Sequence, residues 1–191
     1  MVPLSGMVDG RIELFGAAAS DPAEARGDKL MREGLPAAAV KEYLAVPRQA
    51  ESALLLLKIA RVYETLNDSE KRKNALNRAR QIGPQDPMAL HEVGRFHVES
   101  NEWEPAMLAM RDAMKAPAPP PATVILAALV FARTGRHDDA LLHGGKVLRG
   151  EVIALSEIEP KLLNSVSFAY GLALRGKGQL PEAIEYMLKG T

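Results

Sequence analysis

Apolar residues along this chain recur at helical spacing and are interrupted at regular intervals. Stretches such as LLLKIARVYETL and ATVILAALVFA carry leucine, alanine, valine and isoleucine in blocks, and Val, Ile and Thr seldom alternate with polar residues. That pattern predicts helices and argues against strands. Glycine or asparagine closes a segment of about fourteen residues at Gly34, Asn67, Asn101, Gly135 and Gly178, and a second amphipathic segment follows each of them. Asp21-Pro22 and Asp86-Pro87 each offer a capping carboxylate followed by proline at the first helical position, where its missing N–H is harmless. The predicted unit is therefore helix, tight turn, helix.

Superposing the units fixes a period. LLLKIARVYETLNDSEKRKNALNRARQIGP, from near Ala53, aligns with ALHEVGRFHVESNEWEPAMLAMRDAMKAP, from near Pro87, and with ATVILAALVFARTGRHDDALLHGGKVL, from near Pro121, a spacing of 34 residues both times. An earlier unit starts near Ser20. A later one starts near Asn164, after an insertion at about 152–163. The expected organisation is a tail or cap over 1–19, then a solenoid over 20–191 with units near 20–52, 53–86, 87–120, 121–154 and 164–191. Small residues recur in each first helix at Gly27, Ala60, Gly94, Ala128 and Gly171, with a bulkier one three places on at Leu30, Tyr63, His97, Phe131 and Leu174. In the second helices the small residue is Ala39, Ala106, Ala140 or Ala183, and Arg72 departs from the rule. Two antiparallel helices approach closely only where one offers Gly or Ala to a larger side chain of the other. Arg72 is accordingly expected to shift its helix outward or to run its stem along the surface with its head in water.

In period and in these positions the chain resembles the tetratricopeptide-repeat family over about residues 20–191. The resemblance implies an all-α, right-handed α-solenoid of about five helix pairs, with no catalysis of its own and a partner held on the concave side. It places ligand-facing side chains at Leu54, Leu57, Arg61 and Glu64, at Met88, His91, Arg95 and Val98, at Ile125, Leu129 and Arg133, and at Phe168 and Leu172, with Arg175 continuing the arginine row. Such a groove, apolar with arginines along it, suits a peptide or helix with apolar anchors and some acidic residues. Members of the family that clamp a chaperone's terminal carboxylate use lysine and asparagine where this chain has Leu57 with Arg61 and His91 with Arg95, which argues against that ligand. The alternatives are a self-assembling scaffold of the pilus, secretion or organelle type, and the repeat region of a larger enzyme or signalling protein.

Composition narrows the chemistry. Basic and acidic residues balance at 24 each, with no basic stripe, so a nucleic-acid partner is not expected. Without cysteine, the chain has no disulfide, thiolate or cysteine-ligated metal site. The longest apolar run is far shorter than the roughly 20 residues of a membrane span, and the N-terminus does not read as a secretory leader, so a cytoplasmic location is expected. GRHDDALLHGGKVL, residues 135–148, gathers two histidines and two aspartates beside a Gly-Gly-Lys. Asp139 and His143 share a helix face as a two-ligand pair without a third, so no metal is expected. Ala140 and Val147 break the phosphate-loop pattern, and no cofactor is expected. His91 and His97 read as solvated or core-edge residues, and KAPAPPPA (115–122) as a junction between units that also contains a Pro-x-x-Pro spacing. An exposed last helix bearing Ile184, Met187 and Leu188, and an N-terminal apolar set of Val8, Ile12, Leu14 and Phe15, make pairing between copies through either end a second expectation.

Overall fold

The structure is a computed structural model, and it describes Leu14, Ala19 and residues 21–190. Val8, Ile12 and Phe15, and with them nearly all of the expected tail or cap, lie outside the described residues, whereas Leu14 is buried. Ten α-helices occur among the described residues: α1 (Pro22–Arg32), α2 (Pro36–Leu44), α3 (Ala53–Thr65), α4 (Ser69–Ile82), α5 (Pro87–Glu99), α6 (Trp103–Ala113), α7 (Pro121–Arg133), α8 (His137–Leu148), α9 (Pro160–Gly176) and α10 (Leu180–Lys189). Contacts divide them into two compact units, one ending at Glu92 and one beginning at Val93, inside α5.

Local chemistry sets the starts of these helices. The Asp21 carboxylate accepts from the Ala23 N–H at 2.7 Å, Ser52 Oγ from Leu55 at 3.1 Å, Asp68 from Lys71 at 3.1 Å and Asp86 from Met88 at 2.9 Å, each satisfying an N–H that has no partner within its helix. Proline occupies the first position of α1, α2, α5, α7 and α9, and the proline stretch after α6 is the connection that ends in the first turn of α7.

The turns inside the helix pairs are copies of one another. Gly34, Asn67, Asn101, Gly135 and Gly178 all have φ between 56° and 80°. In each, the N–H one residue later donates back to the carbonyl of the recurrent bulky position: Leu35 to Leu30 (2.9 Å), Asp68 to Tyr63 (2.9 Å), Glu102 to His97 (2.8 Å), Arg136 to Phe131 (2.9 Å) and Gln179 to Leu174 (3.0 Å). This is the six-to-one bond of a Schellman closure, which needs a left-handed residue beside it.

Packing follows the small residues. In the first unit α1 packs on α2, α2 on α3 and α3 on α4, while in the second α6 packs on α7, α7 on α8 and α9, α8 on α9 and α9 on α10. Gly27 faces the Tyr43 ring, Gly94 faces Met110 and Gly171 faces Met187, and an added Cβ at these glycines would lie 2.4–2.6 Å from the opposing side chain. Ala39, Ala106, Ala140 and Ala183 are all buried. Gly144 and Gly145 make room for Tyr170 of α9.

Two expectations need correction. Arg72 does not reach water: it is buried, with its guanidinium 3.7 Å from Glu64 of α3, so an ion pair replaces the expected solvation. The last unit's first helix begins at Pro160 instead of near Asn164, and the insertion shrinks to a connection that contains one 3-10 turn, Leu155–Glu157.

Ala106 is fully buried. Replacing it with leucine overpacks that contact and is expected to cost about 1–3 kcal/mol, read as a lower urea midpoint with an unchanged slope.

Candidate protein-binding surface

The residues placed on the concave side by resemblance separate into two classes. Leu57, His91, Val98, Ile125 and Leu129 are buried, so they hold first helices in place, whereas Leu54, Glu64, Met88, Phe168 and Leu172 are partly open and Arg133 is exposed. The arginine row divides in the same way. Arg61 is buried and bonds Glu92 at 2.7 Å and Glu64 at 3.2 Å, and Arg95 is buried and bonds Glu99 at 2.6 Å. Those two guanidiniums are engaged inside the protein, because a buried cation without a partner would carry a large desolvation penalty. Arg133 and Arg175, at the C-terminal ends of α7 and α9, remain exposed. Arg133 lies over the Trp103 ring, 5.3 Å from its centroid.

The open positions fall in both compact units. In the first unit α3 contributes Leu54 and Glu64, and the first turn of α5 contributes Met88. In the second unit Arg133 of α7 is exposed, α9 carries Phe168, Leu172 and Arg175 partly open or exposed, Ile125 and Leu129 of α7 are buried, and the two helices pack on one another.

Reasoning from sequence missed a buried polar cluster in the first unit. Lys58, with no exposed surface, donates to Glu24 Oε1 and to Asp28 Oδ2 at 2.8 Å each, and the Tyr43 hydroxyl donates to Asp28 Oδ1 at 2.8 Å. Burial first, and then the hydrogen bond to Asp28, push the Tyr43 phenol well above its ordinary pKa. Lys58 interrupts the apolar run LLLLKIA, and an ionisable residue in such a run was the available signal. The cluster touches three helices, α1, α2 and α3, and joins the first two helix pairs. Because removing the cation strands two buried carboxylates, Lys58→Met is expected to cost about 3–5 kcal/mol in chemical denaturation, well beyond a surface Lys→Met control.

GRHDDALLHGGKVL is a packing element. Gly135 turns the chain, Asp138 and Asp139 occupy the first turn of α8, and their carboxylates pair with Lys177 at 2.9 Å and Arg136 at 2.6 Å. The Gly176 backbone leaves space for the His137 ring. His143 is half-buried, 5.8 Å from Phe131 between ring centroids, with no hydrogen-bond partner at Nδ1. His91 is wholly buried, and His97 bonds Glu102 at 2.5 Å. No cluster of three or more His, Asp or Glu able to hold a metal occurs among the described residues, and none of the described helices is long and apolar enough to cross a membrane.

Burial, reinforced by Lys146, lowers the His143 pKa below its ordinary value of 6.5. The folded state therefore favours the neutral ring. Its contribution to stability is complete above pH 6.5 and declines as pH falls through the lowered folded value. His143→Gln is expected to flatten that part of a stability-versus-pH curve, measured by urea melts at stepped pH.

No protein-family model matches the chain, and no curated protein matches it. Solved structures do. The chain is similar to MamA, with 21% identity and a TM-score of 0.66 over 91% of this chain and 94% of that one. It is similar to YrrB, described as a TPR protein with an unusual peptide-binding site, with 16% identity and a TM-score of 0.70 over 90% and 84%. A third, PilW, described as a widely conserved type IV pilus biogenesis factor, gives 18% identity and a TM-score of 0.63 over 88% and 74%.

Proposed function

We propose, from the premise that this chain has the tetratricopeptide-repeat fold, that it is a non-catalytic protein-interaction adaptor. In this reading it binds a peptide or helix of a partner along the open first-helix surface of α7 and α9. The observation that carries it is the partly open pair Phe168 and Leu172, which share a face of α9 with the exposed Arg175, and the exposed Arg133 at the end of α7, a helix packed on α9. A first helix that served packing alone would close those apolar positions, as α7 closes Ile125 and Leu129. Arginines suit carboxylates, and open apolar side chains suit one or two anchors, so the ligand is an acidic segment with a leucine- or phenylalanine-like centre. The likeness to a TPR protein with a peptide-binding site supports the same reading. The first-unit positions Leu54 and Met88 are apolar and partly open as well, but the charge among them, Glu64, is acidic and engaged by Arg61 and Arg72.

An assembly role is favoured by a separate observation, the exposed apolar side chains of α10. In that role copies of the chain combine into a scaffold.

Peptides selected from a random display library on the wild-type chain are expected to carry an apolar residue flanked by Asp or Glu. Arg133→Glu combined with Arg175→Glu, both at exposed sites, should weaken those peptides about tenfold or more in calorimetry, with an unchanged melting temperature. A library that yields no such consensus, or binding indifferent to the double variant, would sink the groove reading.

A further inference from the structure

Two surface features take no part in the groove. The first is a ridge on α10. Leu180, Ile184 and Leu188 stand at i, i+4 and i+8 and are 56%, 59% and 69% exposed. Register shows what such positions do elsewhere in the chain. Aligning Ala183 with Ala140 places Leu180 at His137 and Leu188 at Gly145, which lie against Gly176 and Tyr170 of α9. Aligning Ala183 with Ala106 places Leu180 at Trp103, which stacks with Arg133 of α7. The ridge is thus the surface by which a second helix receives the next helix, and no described residue covers it. Glu182 and Glu185 flank it, both exposed; Glu185 bonds Lys189 at 2.6 Å, and its second carboxylate oxygen keeps acceptor capacity for an incoming cation.

The second feature is a cleft of about 210 Å³ in the first unit, between α2, α3 and α4. Leu44, Leu56, Ile59 and Tyr63 line it, and Lys71 and Arg78 stand at its rim. Leu44 is 61% exposed although it faces apolar neighbours. The cleft is smaller than the roughly 300–1,000 Å³ of small-molecule sites and has the scale of a pocket for one or two anchoring side chains. Its rim helix is strongly basic: SEKRKNALNRARQI carries five basic residues and one acidic. Lys71 and Arg78 bond Asp68 and Glu51 at 2.7 Å each, and an ammonium with three donors and a guanidinium with five keep further N–H groups for an incoming carboxylate.

One feature is convex, apolar and edged with acid, and the other is concave, apolar and edged with base. We propose that the α10 ridge of one copy docks in the α2–α4 cleft of a second copy, with Ile184 as an anchor and Glu182 and Glu185 toward Lys71 and Arg78. The proposal rests on the assembly reading and not on the groove reading. Its contact is heterologous, so each bound copy retains a free ridge or a free cleft, and assembly extends past the dimer or closes as a ring.

Sedimentation of the full chain across protein concentration is expected to show reversible association, lost in Ile184→Asp and lost in Lys71→Glu with Arg78→Glu, all with wild-type circular dichroism and melting temperature. An equimolar mixture of these two chains is expected to recover a one-to-one dimer and nothing larger, since each supplies the surface that the other lacks. Glu182→Lys with Glu185→Lys should likewise associate with the Lys71→Glu, Arg78→Glu chain. A wild type that stays monomeric overturns the proposal, as does a mixture that stays monomeric. Association abolished by Ile184→Asp yet unaffected by the rim variant also overturns it, because the ridge then pairs with its own copy about a two-fold axis. Arg133→Glu with Arg175→Glu is expected to leave association unchanged, which separates failure of this proposal from failure of the groove reading.

Discussion

Everything in this structure depends on two helices of a pair coming close enough for one to lay a large side chain on the bare backbone of the other. Gly27 under Tyr43, Gly94 under Met110 and Gly171 under Met187 are three instances of that contact, and the second helices bury small residues of their own at Ala39, Ala106, Ala140 and Ala183. The turn enforces the same geometry from the end of the pair. A left-handed residue and a six-to-one hydrogen bond fix the angle at which the second helix returns, so the small residue arrives opposite its large partner without adjustment. Close approach and closure are two readings of one constraint.

That constraint is why so much of the fold was legible in the sequence. A turn that requires positive φ accepts glycine or asparagine, and a contact that excludes a Cβ accepts glycine, so both leave letters at a fixed period. The insertion was harder to delimit. Helix α9 opens on Pro160, the same signal that opens α1 and α5, but the alignment with shorter units starts four residues later and outweighs it.

The surface was less legible, for a reason specific to charge. Arg61 and Arg95 stand one period apart and are both buried in ion pairs, whereas Arg133, one period after Glu99, is exposed, and the three look alike in a row of letters. Arg61 finds its carboxylate on the next first helix, at Glu92, and Arg95 finds one a turn later in its own helix, at Glu99, so even two equivalent arginines are paired differently. Lys58 and Arg72 teach the same lesson from the opposite side. Each breaks an apolar or small-residue rule, and each is reconciled by carboxylates supplied from other helices. Periodicity describes what all units share, so it is silent about interactions that only one unit makes.

The buried pairs of the first unit also bear on how such an array can change over generations. Lys58 reaches Glu24, 34 residues earlier, and Arg61 reaches Glu92, 31 residues later. A repeat held to its neighbours only by interchangeable apolar contacts can be duplicated or deleted with little penalty, since any copy fits beside any other. Here the second repeat is addressed to particular neighbours by charge. Deleting the first pair would strand Lys58, and inserting a duplicate in front of α5 would separate Arg61 from Glu92. The order of the first two repeats and the start of the third is written into their interior, as charge that only one neighbour can answer.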